Sequence, residues 1–384
     1  MIGDKRVEQM ISWRHYLHQH PEHSVETKET AQFIAGILRS YGYEVTEGVG
    51  GVGVVAKLQK GTSSKSIGIR ADMDALKIRE KTNLPYASVN DMMHACGHDG
   101  HIAMLLGAAA EIAENCTYNG SVYLVFQPGE ETTIGAKAMV EDGLFQRFPM
   151  DEIYGLHNVP FHPFGSVSTR VGGLMSSEDN FKIVIKGGGC HAASPQEGID
   201  PFLCFSQIYP ALQSIVSRNC SPTHSVVISC TELTTDGARN AIPNSIEIRG
   251  DVRCFRAEDR KFVEKRMREI CESICKLNGA EVEVAYTHEC ASVQNDAGCV
   301  KNVCDAAEKL LGEENVERAC EPWMASEDFS EYLQQVPGCF FLLGSGKKGD
   351  NFIPLHSAEF DFDDKLLPIG AELWRELVST CLGE

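Results

Sequence analysis

Residues 122–131 read Val-Tyr-Leu-Val-Phe-Gln-Pro-Gly-Glu-Glu. The first five residues are apolar and mostly β-branched or aromatic, which predicts a buried strand, and the Pro-Gly pair predicts a turn at its carboxyl end. The turn is followed by two adjacent acids, Glu130 and Glu131. A strand that ends beside two carboxylates is a suitable place for a metal ligand next to a general base.

Other predicted strands in about the first 170 residues are also followed by polar side chains. In this part of the chain, strand and helix patterns alternate. The predicted strands are 52–58, 66–71, 122–126 and 152–156, and the predicted helices are 27–41 and 100–114. Asp72 and Asp74 follow one of these strands and His157 follows another. Alternating strands and helices predict an α/β fold. Because open α/β sheets bind ligands at the carboxyl ends of their strands, we expect these side chains along one edge.

A second motif is Met-His-Ala-Cys-Gly-His-Asp-Gly-His at residues 93–101. An extended backbone points side chains i and i+2 to one face, so Cys96 and His98 are predicted to reach one metal ion. Thiolate, imidazole and carboxylate ligands favour Zn²⁺, Mn²⁺, Co²⁺ or Ni²⁺ over Mg²⁺ and Ca²⁺. The alternatives are a buried thiol beside a hydrogen-bonded histidine, or a purely structural zinc site.

Around Ser176 the pattern changes to strand, helix, strand, strand, helix, strand. The predicted segments are strands 181–186, 225–230, 245–253 and 280–286 and helices 201–218 and 257–277. This βαββαβ order is the signature of a ferredoxin-like domain, predicted at 176–290. The α/β pattern then returns, with a strand at 339–343 and helices at 300–311 and 365–382. The first domain is therefore predicted to be discontinuous, comprising 1–175 and 291–384.

Composition excludes several classes of protein. A formal net charge of −19 argues against a nucleic-acid surface and against a polybasic membrane contact. No apolar run reaches the roughly 18 residues of a membrane span. The fifteen cysteines are odd in number, scattered and without a preceding signal peptide, which favours reduced thiols in a cytoplasm.

Six segments, in this order along nearly the whole chain, resemble the amidohydrolase branch of the M20 metallopeptidases. They are residues 70–76, 94–101, 126–131, 155–158, 326–329 and 355–357. That branch includes hippurate hydrolases, auxin-conjugate hydrolases, N-acetyldiaminopimelate deacetylases and other bacterial aminoacylases. The resemblance implies an exopeptidase-like α/β catalytic domain with a two-metal centre, and a ferredoxin-like lid domain that often mediates dimerisation.

The resemblance also implies roles for individual residues. The implied metal ligands are Cys96, His98, Glu131, His157 and His356, and the implied general base is Glu130. His191, after Gly187-Gly188-Gly189-Cys190, corresponds to a lid histidine that stabilises the transition state; its alternative is a residue that caps a strand end. Asn240 corresponds to a substrate-lining position; its alternative is a turn asparagine. Asp74 and Asp99 are expected to accept the second N–H of ligating histidines.

These inferences predict a cytoplasmic enzyme that hydrolyses the amide bond of small N-acyl amino acids to a carboxylic acid and a free amino acid. It would use two divalent ions, Mn²⁺ or Zn²⁺ with Co²⁺ or Ni²⁺ as alternatives, and form a homodimer through the lid domain. A dipeptidase or carboxypeptidase of the same family is the alternative activity. A non-catalytic metal-binding protein is the alternative from another class, against which the presence of Glu130 argues.

Overall fold

The computed structural model describes residues 2–346 and 352–383. The chain forms two compact units. Unit 1 contains Met1–Leu174, Gln294–Pro322 and Asp328–Glu384, and unit 2 contains Met175–Val293 and Trp323–Glu327. In the described part of the chain, no helix combines the length and the apolar character needed to cross a membrane.

The α-helices and strands are numbered in chain order. The helices are α1 Asp4–Gln19, α2 Lys28–Ser40, α3 His98–Asn115, α4 Gly135–Glu141, α5 Leu144–Arg147, α6 Pro201–Ser214, α7 Ala257–Leu277, α8 Ala297–Leu311, α9 Ser330–Leu333 and α10 Leu366–Leu382. The strands are β1 Glu44–Val49, β2 Gly53–Lys60, β3 Ser66–Asp72, β4 Gly120–Gln127, β5 Glu152–Pro163, β6 Val167–Ser168, β7 Gly172–Met175, β8 Glu178–Lys186, β9 Cys190–His191, β10 Val226–Thr235, β11 Ala241–Ile242, β12 Ser245–Cys254, β13 Glu281–Cys290, β14 Val293–Asn295, β15 Val316–Glu317 and β16 Gly338–Gly346.

Unit 1 is built on an eight-stranded sheet in the order β1-β2-β4-β3-β5-β16-β6-β15. The central strands β4, β3, β5 and β16 run parallel, so their carboxyl ends meet at one edge. Strands buried on both faces need near-continuous apolar runs. β3 and β4 are buried along their whole length, as this rule requires. The mixed α/β sheet confirms the predicted fold class, and the parallel centre provides the expected edge for a site.

Helix α3 lies in the core of unit 1. Its residues are buried from His98 through Ile112. Small residues allow this close packing: a Cβ added at Gly107 would lie 2.0 Å from the sulfur of Met10. The helix starts at His98, so its first turn presents polar side chains while the rest is held by apolar contacts. The site residues on α3 are therefore attached to one of the most deeply packed elements of the unit.

Unit 2 contains a four-stranded antiparallel sheet in the order β10-β12-β8-β13. The chain order β8-α6-β10-β12-α7-β13 is the βαββαβ arrangement of ferredoxin-like domains. Along β8, buried Phe181, Ile183 and Ile185 alternate with more exposed residues, as expected when one face of a sheet is covered. The apolar side chains of α6 and α7 form a single buried cluster with that face.

Two local predictions were wrong near the candidate ligands. Cys96 and His98 do not lie on an extended strand, because Gly97 between them has a left-handed φ of 96° and the helix begins at His98. His157 does not follow its strand but lies within it, since β5 continues to Pro163 through pairing with β16. β5 pairs with β3 only as far as Gly155 opposite Arg70, so His157 still lies beyond the paired part of the two strands, level with Asp72 at the end of β3.

Candidate metal centre

Three candidate ligands from distant parts of the sequence meet at the thiol of Cys96. His157 Nε2 and His356 Nε2 each lie 3.3 Å from Cys96 Sγ. Cys96 lies in the loop before α3, His157 lies in β5, and His356 lies in the loop before α10. His356 has a φ of 64°, which is uncommon for a residue with a side chain, and its backbone N–H donates to the carbonyl of Ala95. This contact places the His356 loop against the chain segment that carries Cys96.

The carboxylates of the Glu130-Glu131 turn complete the cluster. Glu131 Oε2 lies 3.4 Å from His356 Nε2, and Glu131 Oε1 lies 3.8 Å from His98 Nε2. Glu130 Oε2 lies 3.9 Å from the same nitrogen of His98. The structure therefore brings all five residues named as ligands, and the residue named as general base, into one cluster within unit 1.

The unpaired atoms of this cluster fit a divalent cation. Among residues 2–346 and 352–383, His98 Nε2 and Glu131 Oε1 are buried without a hydrogen-bond partner. Buried polar atoms are rarely left unsatisfied unless a ligand takes the missing partner's place. Two compatible groups of ligand atoms lie within 4.8 Å of one another, Cys96 with His98 and His157, and Cys96 with Glu131 and His356. The sulfur, nitrogen and oxygen donors suit Zn²⁺ or Mn²⁺ chemistry.

The electrostatics of the cluster suit a shared cation. Burial raises the pKa of the Cys96 thiol well above its usual value, and the charge of Glu131 acts in the same direction. Burial also raises the pKa of Glu131, to about 7, against the lowering effect of His98. Burial lowers the pKa of His157 well below its usual value. Metal ions bind the thiolate and the neutral imidazole. A cation at this position would therefore displace the thiol proton of Cys96, whereas the His157 ring is already neutral.

Asp74 holds the glutamate turn in place. Its Oδ1 accepts the backbone N–H of Glu130 at 3.0 Å and its Oδ2 accepts that of Glu131 at 3.2 Å. Gly129 precedes this pair with a φ of 65°, a backbone conformation that glycine adopts without strain. The two carboxylates therefore extend from a turn that is fixed by hydrogen bonds to a buried acid.

The expectation for the two supporting aspartates was correct in pairing Asp74 with His98, although through the backbone carbonyl, and wrong for Asp99. His98 Nδ1 is bonded to the backbone carbonyl of Asp74 at 2.9 Å, and the Asp74 carboxylate serves the glutamate turn instead. Asp99 Oδ2 is bonded to His18 Nδ1 at 2.9 Å and to Arg14 at 3.2 Å. Asp99 therefore anchors the start of α3 to α1, because its side chain points away from the ligand histidines on the first helical turn.

His191 and Asn240 are neighbours in unit 2. The two-residue strands β9 and β11 pair His191 with Ala241, and the backbone carbonyl of Asn240 accepts the N–H of Ala192 at 3.0 Å. His191 Nδ1 accepts the backbone N–H of Ala193 at 3.1 Å. In the neutral ring the proton is then on Nε2, which makes His191 a hydrogen-bond donor. Both residues are exposed, His191 in β9 and Asn240 directly before β11.

Sequence reasoning assigned no role to His101 or Asn158, although both lie within the motif segments. His101 contacts Asp72 through one ring nitrogen and Asn158 through the other. The available signal was spacing: His101 lies three residues after His98, so a helix places both on one face. That signal was missed because the motif was interpreted as extended.

Comparisons with known proteins agree with this geometry. The profile of peptidase family M20/M25/M40 matches residues 68–380. The chain is 40% identical to a hippurate hydrolase from Campylobacter jejuni, over 95% of this chain and 94% of that protein. It is 37% identical to thermostable carboxypeptidase 1 from Saccharolobus solfataricus, over 94% and 92%. A solved dinuclear metal-binding peptidase of the M20 family from Bacillus subtilis is 33% identical with a TM-score of 0.86, over 99% of both chains. A match over most of the chain in sequence and in fold shows common descent, and the chain belongs to peptidase family M20/M25/M40.

Proposed function

We propose that this protein is a metal-dependent amidohydrolase that cleaves the amide bond of N-acyl amino acids, releasing a carboxylic acid and a free amino acid. The observation that carries this proposal is the convergence of Cys96, His98, Glu131, His157 and His356 around a second, adjacent carboxylate. Hippurate is itself an N-acyl amino acid, so the similarity to a hippurate hydrolase supports the same substrate class.

An amide resists hydrolysis because water is a weak nucleophile, the oxyanion that develops is unstable, and the amine leaves poorly. Two divalent ions bound here would polarise the carbonyl and lower the pKa of a water molecule towards about 7. Glu130 would accept the proton of the attacking water and later donate it to the departing nitrogen, a contribution of about 10²–10⁴-fold. The backbone that carries Glu130 is held in place because Asp74 Oδ1 accepts its N–H.

The thiol of Cys96 belongs to both groups of ligand atoms. Cys96, His98 and His157 would hold one ion, and Cys96, Glu131 and His356 would hold a second. This assignment is supported by the position of Cys96 Sγ, which lies at 3.3 Å from one histidine of each group.

Unit 2 is proposed to act as the lid domain, with boundaries near 176 and 290. His191 would donate its Nε2–H to the tetrahedral oxyanion, a role whose loss elsewhere lowers turnover about 10²–10³-fold. Its hydrogen bond from Ala193 supports this role because it leaves the ring proton on Nε2. Asn240, whose backbone carbonyl accepts the N–H of Ala192 next to His191, is proposed to contact the substrate.

Three finer features are also proposals. The ions are Mn²⁺ or Zn²⁺, with Co²⁺ or Ni²⁺ as substitutes, because the ligand set includes a thiolate and imidazoles. The location is cytoplasmic, which agrees with fifteen cysteines that form no disulfide. The oligomer is a homodimer through unit 2, supported by large apolar side chains on α6 that are 42–51% exposed, namely Phe202, Leu203 and Tyr209. We propose no nucleic-acid or membrane partner.

A carboxypeptidase is the second candidate, and the similarity to the Saccharolobus solfataricus enzyme favours it. Both activities would use the same metal cluster and the same general base. They differ in what is recognised on the far side of the scissile amide: an acyl group without an α-amino group, or the remainder of a peptide.

A substrate panel separates the two. The Mn²⁺- and Zn²⁺-loaded protein would be given benzoyl-, acetyl-, long-acyl and indoleacetyl-amino acids together with dipeptides and longer peptides, and release of free amino acid would be measured. We expect the N-acyl amino acids to be hydrolysed with higher kcat/KM than any peptide of the same C-terminal residue. Higher kcat/KM on the peptides would favour the carboxypeptidase.

A further inference from the structure

A buried chain of hydrogen bonds leads from Asp72 to the candidate ligand His157. Asp72, at the end of β3, and His101, in the first turn of α3, are joined by a 2.6 Å contact between Asp72 Oδ1 and His101 Nδ1. Both side chains are almost completely shielded from solvent, with 0% and 2% exposed. Arg70 donates to the other oxygen of Asp72 at 2.8 Å, which fixes the carboxylate that orients the His101 ring.

The other nitrogen of His101 faces Asn158. His101 Nε2 lies 2.7 Å from Asn158 Oδ1 and 3.2 Å from the backbone nitrogen of the same residue. A ring with protons on both nitrogens donates to Asp72 and to Asn158 Oδ1, whereas a neutral ring donates to Asp72 and accepts the backbone N–H of Asn158. In either form, His101 connects β3 to the residue that follows the candidate ligand His157.

Asn158 in turn sets the orientation of His157. The backbone carbonyl of Asn158 accepts a hydrogen bond from His157 Nδ1 at 2.7 Å, which directs His157 Nε2 towards Cys96 Sγ. The Asn158 side chain also fills the space beside Gly97, where an added Cβ would lie 2.4 Å from Asn158 Oδ1. Movement of Asn158 would therefore disturb the His157 ring and the turn between Cys96 and His98.

His101 itself is poorly placed to be a ligand, although its ring, Asp72 and His98 offer atoms within 4.8 Å of one another. Both of its nitrogens already have close polar partners, and the carboxylate of Asp72 is paired with the guanidinium of Arg70. A cation here would have to displace these buried contacts. A positioning role requires no rearrangement.

We propose that His101 is a positioning residue that acts through Asn158 to hold the His157 imidazole in place. His101 would thereby set the affinity for the ion that Cys96, His98 and His157 would hold. This inference rests on the proposed two-metal centre. Hydrogen-bonded partners of metal ligands elsewhere change metal affinity by about 10–100-fold when they are removed. His101 is one residue further from the metal than such partners, but it constrains both the backbone and the side chain of Asn158.

The test compares His101→Leu with His101→Gln in the full chain. Leucine removes both polar contacts at similar volume, whereas glutamine retains a donor and an acceptor. Zn²⁺ affinity would be measured by competition with a chromophoric chelator, and cadmium NMR of the Cd²⁺-loaded protein would distinguish the two ions by their ligands. His224→Leu, which removes a histidine of unit 2 bonded to Asp259, is the matched control.

We expect His101→Leu to weaken one of the two ions by about 10–100-fold and to shift the cadmium signal of that ion, while the other ion changes little. His101→Gln should restore part of the affinity. Asp72→Asn removes the charge that orients the His101 ring, so it should also lower the affinity for that ion, but by less. If His101→Leu does not fold, Asp72→Asn is the variant used for the test.

Two results would overturn the inference. In one, His101→Leu binds both ions with the parental affinity. In the other, it loses both ions equally, together with a lower unfolding temperature of the chelator-treated protein, which is the behaviour of a residue that only supports the fold. A parent protein that binds fewer than two ions would instead refute the two-metal centre on which the inference rests.

Discussion

The two groups of predicted functional residues are held in opposite ways. In unit 1 the candidate ligands lie in a cluster whose members come from positions as distant as Cys96 and His356, and most of them are buried. In unit 2, the exposed His191 and Asn240 lie in and directly before the two-residue strands β9 and β11, which pair with each other. The ligand cluster is therefore fixed mainly by packing, with His356 as its exposed member, whereas the β9–β11 pair is held by a few backbone hydrogen bonds.

This contrast agrees with different proposed roles for the two regions, metal binding in unit 1 and transition-state stabilisation in unit 2. Metal ions require ligands that are held to a few tenths of an ångström, and deep packing provides that precision at the edge of the parallel sheet. A residue that stabilises only the transition state lies where substrate enters and product leaves. A lightly held segment, which can move, is therefore suitable for it. Substitutions in the two regions should therefore differ in whether they change metal content.

Cys96→Ala tests the rigid region most severely and should have the largest effect. Because the thiol belongs to both ligand groups, we expect neither ion to remain after dialysis, as measured by elemental analysis. Turnover should fall by more than the roughly 10²–10⁴-fold expected for loss of a general base alone. Cys116→Ala, a buried cysteine at the other end of α3, is the control and should keep both ions. Retention of two ions by Cys96→Ala would show that the thiol is not shared.

Glu130→Gln tests whether adjacent glutamates have different roles. We expect kcat to fall by about 10²–10⁴-fold while both ions remain, because the amide cannot accept the proton. Glu131→Gln, one residue along the same turn, should instead lower metal content. Steady-state kinetics and metal analysis on the same preparations distinguish the pair, and equal metal loss in both variants would contradict the assignment.

His191→Ala tests the exposed β9–β11 pair. We expect kcat to fall by about 10²–10³-fold through loss of a donor to the oxyanion. Metal content should remain at the parental value, unlike in the Cys96 variant. His288→Ala, another partly exposed histidine of unit 2, should leave kcat unchanged. Loss of metal in step with activity would place His191 among the ligands.

Asn240→Ala should have the smallest effect. If Asn240 lines the substrate, KM should rise by roughly tenfold, as expected for loss of one hydrogen bond to substrate, with kcat little changed. Asn244→Ala is the matched control, because Asn244 holds its turn through hydrogen bonds to Asp236 and Gly189. An Asn240 variant that lowers only the unfolding temperature, with parental KM, would identify it as a turn residue.

Much of the fold was predictable because it depends on local pattern. Apolar runs predicted the strands of the parallel sheet. The change in the order of predicted strands and helices near Ser176 predicted the βαββαβ arrangement that unit 2 has. The limits of individual elements were less predictable. β5 extends to Pro163 because β16 pairs with it, and no residue between 156 and 163 indicates that pairing.

The candidate site was predictable in composition but not in conformation. The types and order of the ligands, together with the family resemblance, selected the residues that the structure brings together. The extended geometry predicted for Cys96 and His98 was wrong because Gly97 adopts a left-handed conformation, which its motif permits but does not require. The partner of Asp99 was also wrong, since a side chain's partner depends on what packs against it.

By itself, the sequence determined the kinds of atoms available and the alternation of strands and helices, because residue type and short-range periodicity act within a few residues. Only the tertiary structure decided that one sulfur lies between two histidines almost two hundred residues apart, that Asp74 holds a turn, and that His101 reaches Asn158. These contacts arise when helices and sheet bury their apolar faces together. That packing sets distances between segments that spacing along the chain does not encode.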